Sequence, residues 1–223
     1  MSASNQKEIA DTIESVAMSH YGDPNRRKIR PPLDQLVESL LWRQTSIRRG
    51  TRALRQLKRE FVDWNEVRVS HREEVANAMA NTEWAMDSAR RIQRILGKLF
   101  TLRHEMSLEC LHDLTKAEGR AFLQSLPEVS SDLVDEVLLF TTGVKLFPVN
   151  DDIARMAYRL GLVPNPRVTK RNQKRLMDHW EPEVHVAIVQ FFLDNASAIC
   201  SEEDPAHDEC PLNELCPREG MSE

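Results

Sequence analysis

Pro148-Val149-Asn150-Asp151-Asp152-Ile153-Ala154-Arg155-Met156-Ala157-Tyr158-Arg159-Leu160-Gly161-Leu162 spells a helix with its start, its buried face and its stop. Asparagine at 150 is a favoured N-cap, because its side-chain oxygen can accept one of the backbone N–H groups that the first turn leaves unpaired. Asp151 and Asp152 place negative charge against the positive end of the helix dipole. Ile153, Met156, Ala157 and Leu160 recur at the spacing of one helical face, and Gly161 supplies the residue on which a helix commonly ends.

The same grammar runs outward in both directions. Ile9, Ile13 and Val16 mark an N-terminal helix, and Leu36, Val37, Leu40 and Leu41 mark a second that begins after Pro31-Pro32. Thr45-Ser46 offers a cap for a third, carrying Ile47, Leu54, Leu57 and Phe61. Ser70-His71-Arg72-Glu73 and Thr115-Lys116-Ala117-Glu118 both have capping-box form. Ala85, Ala89, Ile92, Leu96 and Leu99 form one apolar stripe, and Val184, Ala187, Ile188 and Phe191 another, on a long helix that leads to Cys200. No segment alternates with a strand period, so the expected class is all-α.

With 223 residues, 41% of them hydrophobic and 29% charged, the chain can bury a core as one large or two small domains. No apolar run reaches the length of a membrane span, and no repeat appears. A net charge of −5 weighs against a nucleic-acid partner. Clustering weighs the other way: basic residues gather in Arg26-Arg27-Lys28-Ile29-Arg30, in Arg48 to Arg59, in Arg90-Arg91-Ile92-Gln93-Arg94 and in Arg167 to Arg175. Each cluster also reads as a solvated helix face. The start, MSASNQKEIADTIE, has no apolar signal core, so a reducing, intracellular compartment is expected, cytoplasmic or nucleoid-associated, with free thiols.

Those thiols concentrate at the end of the chain. Cys200, Cys210 and Cys216, with His207, read C-x6-H-x2-C-x5-C, and soft ligands this close together commonly share a metal. The alternatives are a tail of unpaired thiols, or a three-cysteine site with His207 as a surface residue. The loop is short, acidic and poor in core residues, so it is expected to close only around a metal, pinned to the helix that ends near Ile199. Cys110, flanked by Leu108 and Leu111, reads as a small buried hydrophobe.

Four markers in order carry a family resemblance. The tail spacing resembles the C-x6-C-x2-C-x5-C loop of the endonuclease III family of DNA glycosylases, with His207 at the second cysteine. Leu126-Pro127-Glu128-Val129-Ser130-Ser131-Asp132 resembles the family's helix-hairpin-helix segment LPGVGxK. Pro148 to Leu162 resembles PVDTHVxRVxxRLGL, and Leu40-Leu41-Trp42-Arg43-Gln44-Thr45 resembles LLSxQT, whose glutamine inserts into the DNA stack. The resemblance covers roughly residues 30 to 217. It implies a two-lobed helix-hairpin-helix glycosylase fold. Residues 33–147 would form a six-helix bundle including the hairpin 126–132. Residues 148–223 would form a C-terminal lobe with the metal loop 200–216, against which a helix in 1–32 packs. It further implies base-excision repair on a flipped base, duplex DNA as partner, no membrane and a monomeric state. The tail would hold a four-iron four-sulfur cluster on Cys200, His207, Cys210 and Cys216, with structural zinc as the alternative.

The chemistry-bearing positions are changed. Where the family places a Schiff-base lysine stands Asp132, which has no amine, so no lyase reaction of that kind is expected. Where it places an aspartate that steadies the cationic sugar stands Asn150, a neutral amide, so glycosylase activity by that route should be weak. Asp151 and Asp152 are the candidate surrogates. Any surviving activity would be that of a monofunctional glycosylase; the other reading is an inactive homologue serving as a DNA-binding or protein-interaction module. The hairpin glycines are replaced by Glu128 and Ser130, and Glu128, Asp132, Asp135 and Glu136 are expected to form a patch that repels phosphate. Gln44, Arg48 and Ser130 are the candidate DNA contacts.

Overall fold

The computed structural model describes residues 3–21, 30–79 and 82–221, and among them it contains helices and turns but no strand. The chain divides into two compact units, residues 29–144 and residues 1–28 with 145–223.

In the unit 29–144 the described helices are α2 (Pro32–Gln44), α3 (Ile47–Glu60), α4 (Trp64–Val69), α5 (Arg72–Met79), α6 (Glu83–Arg103), α7 (Lys116–Gln124) and α8 (Ser131–Thr142), numbered after the N-terminal α1. α2 is the central element, packing against α3, α6 and α8. Its Leu33, Leu36, Val37, Leu40 and Leu41 are all buried, because α2 has neighbours on nearly every side. The α2–α3 crossing is close: a Cβ added at Gly50 would come 2.8 Å from Trp42 Cδ1 and 3.1 Å from the Leu41–Trp42 backbone. Trp42 Nε1 then donates to Thr51 Oγ1 at 3.1 Å, which fixes the indole over that approach.

Local signals placed most ends. Ser46 accepts from the Arg49 N–H, and Thr115 and Glu118 complete a reciprocal capping box. The sequence reading of Ser70 needs correction. Its hydroxyl donates to the Glu66 carbonyl at 2.9 Å and closes α4, and α5 begins two residues later without it. Cys110 is half-buried in a 3₁₀ turn, less enclosed than its neighbours Leu108 and Leu111 suggested.

The other unit joins α1 (Ala3–Tyr21) to α9 (Asp151–Arg159), α10 (Lys170–Met177) and α11 (His185–Ala198). α11 packs against both α1 and α9. Trp180 stacks on Phe147 with centroids 5.8 Å apart, and its Nε1 donates to the Ala10 carbonyl at 3.0 Å, tying α1 to this core. Gly161, at φ +68, ends α9 in the left-handed region.

Candidate functional site

One candidate region is the turn between α7 and α8, within the unit 29–144. Leu126 anchors it in the core at 3% exposure, and Glu128 lies at φ +64. The turn therefore keeps a backbone geometry suited to glycine although a glutamate occupies it. Ser130 is the exposed N-cap of α8, and its side chain makes no capping hydrogen bond.

Asp132, in the first turn of α8, is bound to Arg43 of α2. Arg43 Nη2 and Nε donate to Asp132 Oδ2 at 2.7 and 3.2 Å, Nη2 also reaches Glu136 Oε2 at 2.9 Å, and Nη1 donates to the Ser39 carbonyl at 2.9 Å. Glu136 is 1% exposed. Burial works against the Arg43 charge, but the Glu136 and Asp132 carboxylates overcome it, and the guanidinium is held charged. Burial likewise works against ionised Asp132; the Arg43 charge and the hydrogen bonds outweigh it and hold this carboxyl below its usual range. Asp132 is thus an ionised partner in a part-buried ion network, with neither an amine to attack a sugar nor a proton to donate at neutral pH.

The expected repulsive patch does not form. Glu128 pairs with Arg90, Arg91 and Arg94, Asp135 with Arg120, and Asp132 and Glu136 with Arg43. Asp135 and Glu136 are also buried, so their charge is spent inside the bundle. Sequence reasoning missed Arg43 as a site residue. The available signal was an arginine directly after the apolar run Leu40–Trp42, with two acids four residues apart on α8 to receive it.

The second position is Asn150. Its Oδ1 accepts from the Ile153 N–H at 2.8 Å, so the amide is committed to capping α9. Asp152 Oδ1 is paired with Arg155 Nη1 at 2.6 Å. Asp151 is exposed and makes no hydrogen bond or ion pair to the described residues, which leaves it the uncommitted carboxylate of this turn.

The third region is the cysteine loop. Burial pushes the Cys210 thiol up, and the nearby Cys200 adds to the shift; burial does the same to Cys216, with both Cys210 and Cys200 contributing. Among the described residues, however, no three His, Cys, Asp or Glu side chains form a ready-made metal set. In kind, three half-buried thiols fit a soft metal, and the half-buried His207 imidazole makes no hydrogen bond to the described residues.

Protein contacts also hold the loop. Leu212 is 0% exposed, and Arg159, itself 8% exposed, donates to the carbonyls of Cys200, Ser201 and Glu202 at 3.1, 2.6 and 3.0 Å. Arg159 Nη1 also reaches Cys200 Sγ at 3.3 Å, while its own carbonyl accepts from Cys216 Sγ at 3.6 Å and from the Glu219 N–H at 3.1 Å. Both ends of the loop close on one residue of α9, so Arg159 contributes to closure beside whatever the thiols hold. The motif match from Pro148 to Leu162 includes this arginine, but the sequence alone does not show that its side chain grips the loop.

The remaining candidates are Gln44 and the basic residues. Gln44 is half-buried at the end of α2, and Arg48 is exposed in the first turn of α3. Arg48, Arg49, Arg52, Arg55 and Arg59 are exposed and make no ion pair to the described residues; Lys58 pairs with Asp34 at 3.0 Å. The α10 cations Lys170, Arg171, Lys174 and Arg175 are exposed as well. Of the cluster near 26–30, Arg30 pairs with the buried Glu38. Residues 26–29 lie outside the described residues.

A helical hairpin ahead of α8, two helical units and a cysteine loop define the helix-hairpin-helix glycosylase fold. A solved non-covalent endonuclease III–DNA complex superposes with a TM-score of 0.70 at 18% identity, covering 95% of this chain and 95% of that one. A thermostable thymine-DNA glycosylase superposes with a TM-score of 0.63, also at 18% identity, covering 96% and 95%. No protein-family model matches the chain. In sequence it is 26% identical over 202 residues to the DNA glycosylase/AP lyase ROS1 of Arabidopsis thaliana, covering 79% of this chain and 14% of that protein. A second Arabidopsis thaliana protein, named as a candidate DNA glycosylase, is 32% identical over 132 residues, covering 59% and 45%. The chain thus spans less than half the length of these curated relatives. The chain therefore has the fold of the helix-hairpin-helix DNA glycosylases, and in sequence it is similar to the DNA glycosylases named above over part of their length.

Proposed function

We propose that this chain binds duplex DNA as a base-excision-repair protein with weak or altered N-glycosylase activity and no Schiff-base lyase activity. The observation that carries this reading is the Asp132–Arg43–Glu136 network, which fills the nucleophile's position with an ionised carboxylate. Asn150 supports it, since an amide committed to a cap offers no charge to an oxocarbenium-like sugar. DNA contact falls to Gln44, Arg48 and the unpaired arginines of α3, where phosphates would replace solvent around guanidinium groups. If a base is excised, the reaction is monofunctional hydrolysis and depends on Asp151, the one carboxylate of that turn without a partner among the described residues. Cys200, Cys210, Cys216 and His207 would hold a four-iron four-sulfur cluster, or zinc, whose part here is to stiffen the loop. Free thiols of this kind suit a reducing compartment.

The test is a panel of lesion-bearing duplexes assayed for base release, with borohydride trapping on abasic DNA. Slow or absent base release, no covalent band and salt-sensitive duplex binding that falls in Arg48→Glu are expected. A trapped adduct refutes the absence of lyase chemistry, and Lys145 is then the first amine to replace. The second reading, an inactive DNA-binding or protein-interaction module, draws on the same locked positions. It gains if Asp151→Asn changes nothing on any lesion.

A further inference from the structure

Glu128 is held in an unusual way. It occupies a left-handed backbone conformation without being glycine, and its carboxylate is only 18% exposed while three guanidinium groups of α6 surround it. Arg94 Nη1 lies 2.5 Å from Oε1, Arg90 Nη1 3.5 Å from Oε1, and Arg91 Nη1 3.5 Å from Oε2. Asp87 holds the same arginines from behind, at 2.7 Å from Arg90 and 2.6 Å from Arg91. Two carboxylates against three guanidiniums leave one positive charge in excess, and without Glu128 the excess would be two.

We infer that Arg90, Arg91 and Arg94 form a phosphate site that Glu128 fills from within, so that the hairpin is closed to the DNA backbone by its own side chain. This rests on the reading of the chain as a DNA-binding protein. Guanidinium forks match phosphate oxygens as they match carboxylate oxygens, and a tethered carboxylate excludes a diester from the same donors. The left-handed conformation of a glutamate costs about 1 kcal/mol or more and persists where surrounding contacts enforce it. The three arginines are that enforcement.

Glu128→Gly removes the plug and suits the backbone conformation, and it forfeits only partly exposed ion pairs, so the variant should fold with a Tm near that of the parent. Its affinity for an undamaged duplex should rise about tenfold at low salt, and its log K against log salt slope should steepen by about 1 to 2, as expected for one or two added phosphate contacts. Adding Arg91→Ala and Arg94→Ala should abolish the gain. Inorganic pyrophosphate should raise the Tm of Glu128→Gly more than that of the parent. Unchanged duplex affinity and slope in a folded Glu128→Gly overturn the inference. Stabilisation by pyrophosphate without a duplex gain also overturns it, because the site then takes a small anion and not the DNA backbone. The outcomes are separable from the parent reading: if the parent binds duplex and Arg48→Glu weakens it while Glu128→Gly gains nothing, only this inference falls. If the parent shows no duplex binding, the proposed function fails, and the pyrophosphate and Glu128→Gly comparisons still decide the plug.

Discussion

Placing a lysine at position 132 should damage the fold before it introduces any chemistry. In Asp132→Lys, Arg43 loses its 2.7 and 3.2 Å bonds and meets a second cation, with only Glu136 left to compensate both. The side chains are 19%, 23% and 1% exposed for Arg43, Asp132 and Glu136, so water screens the conflict poorly. Removing one partner of such a network costs about 3–5 kcal/mol when fully buried, and the partial exposure of Asp132 places this case near 3 kcal/mol. For a chain of this size that lowers Tm by roughly 6–12 °C. Asp132→Asn, which keeps the shape and drops the charge, should cost about 1.5–3 kcal/mol. Combining Asp132→Lys with Arg43→Met hands Glu136 to the new lysine, so the double variant should be more stable than the sum of the singles by about 1 kcal/mol or more. Urea unfolding of the four proteins closes the cycle. A Tm for Asp132→Lys within 2 °C of the parent, or a strictly additive cycle, refutes the reasoning. The same network predicts a pH dependence. Asp132 is held below its usual carboxyl range in the folded chain, so its contribution is complete above about pH 4 and is lost as pH falls through the lowered value. Asp132→Asn should flatten that acid limb of stability.

Other substitutions test other parts of the structure. Asn150→Asp should leave stability within about 0.5 kcal/mol because aspartate caps equally well, whereas Asn150→Ala should lose about 1 kcal/mol, both read by thermal unfolding. Base release by Asn150→Asp above the parent level, measured by gel, would show that the lost charge limited activity. Gly50→Ala should destabilise by about 1–3 kcal/mol, since its new methyl group meets Trp42 Cδ1 and backbone within 3.1 Å, and Trp fluorescence should report the shift. Cys216→Ser should release metal from anaerobically purified protein, yet leave the tail largely protease-resistant because Arg159 still grips residues 200–202 and 219. Arg159→Ala should loosen the tail even with all three cysteines in place; an unchanged digestion pattern would refute the assignment of closure to that residue.

The sequence by itself determined what one helical turn can encode. Thr115 with Glu118, Ser46, Asn150 and Gly161 set the ends of helices through hydrogen bonds and backbone freedom three or four residues away, and these are legible without a structure. The all-α class and the order of the four motifs followed in the same way. Ser70 was misread because two short helices meet there, and the local pattern does not say which one its hydroxyl serves. Only the tertiary structure decided what the altered positions do. Arg43 and Asp132 are 89 positions apart, and their bond exists because α2 packs on α8. Glu128 reads as a repulsive charge until α6 brings three arginines around it, and Arg159 shows its role only once the cysteine loop folds over it. Charge in a sequence is a local quantity. Whether it repels, plugs or staples depends on which distant helix supplies the counter-charge and how much water the packing leaves between them.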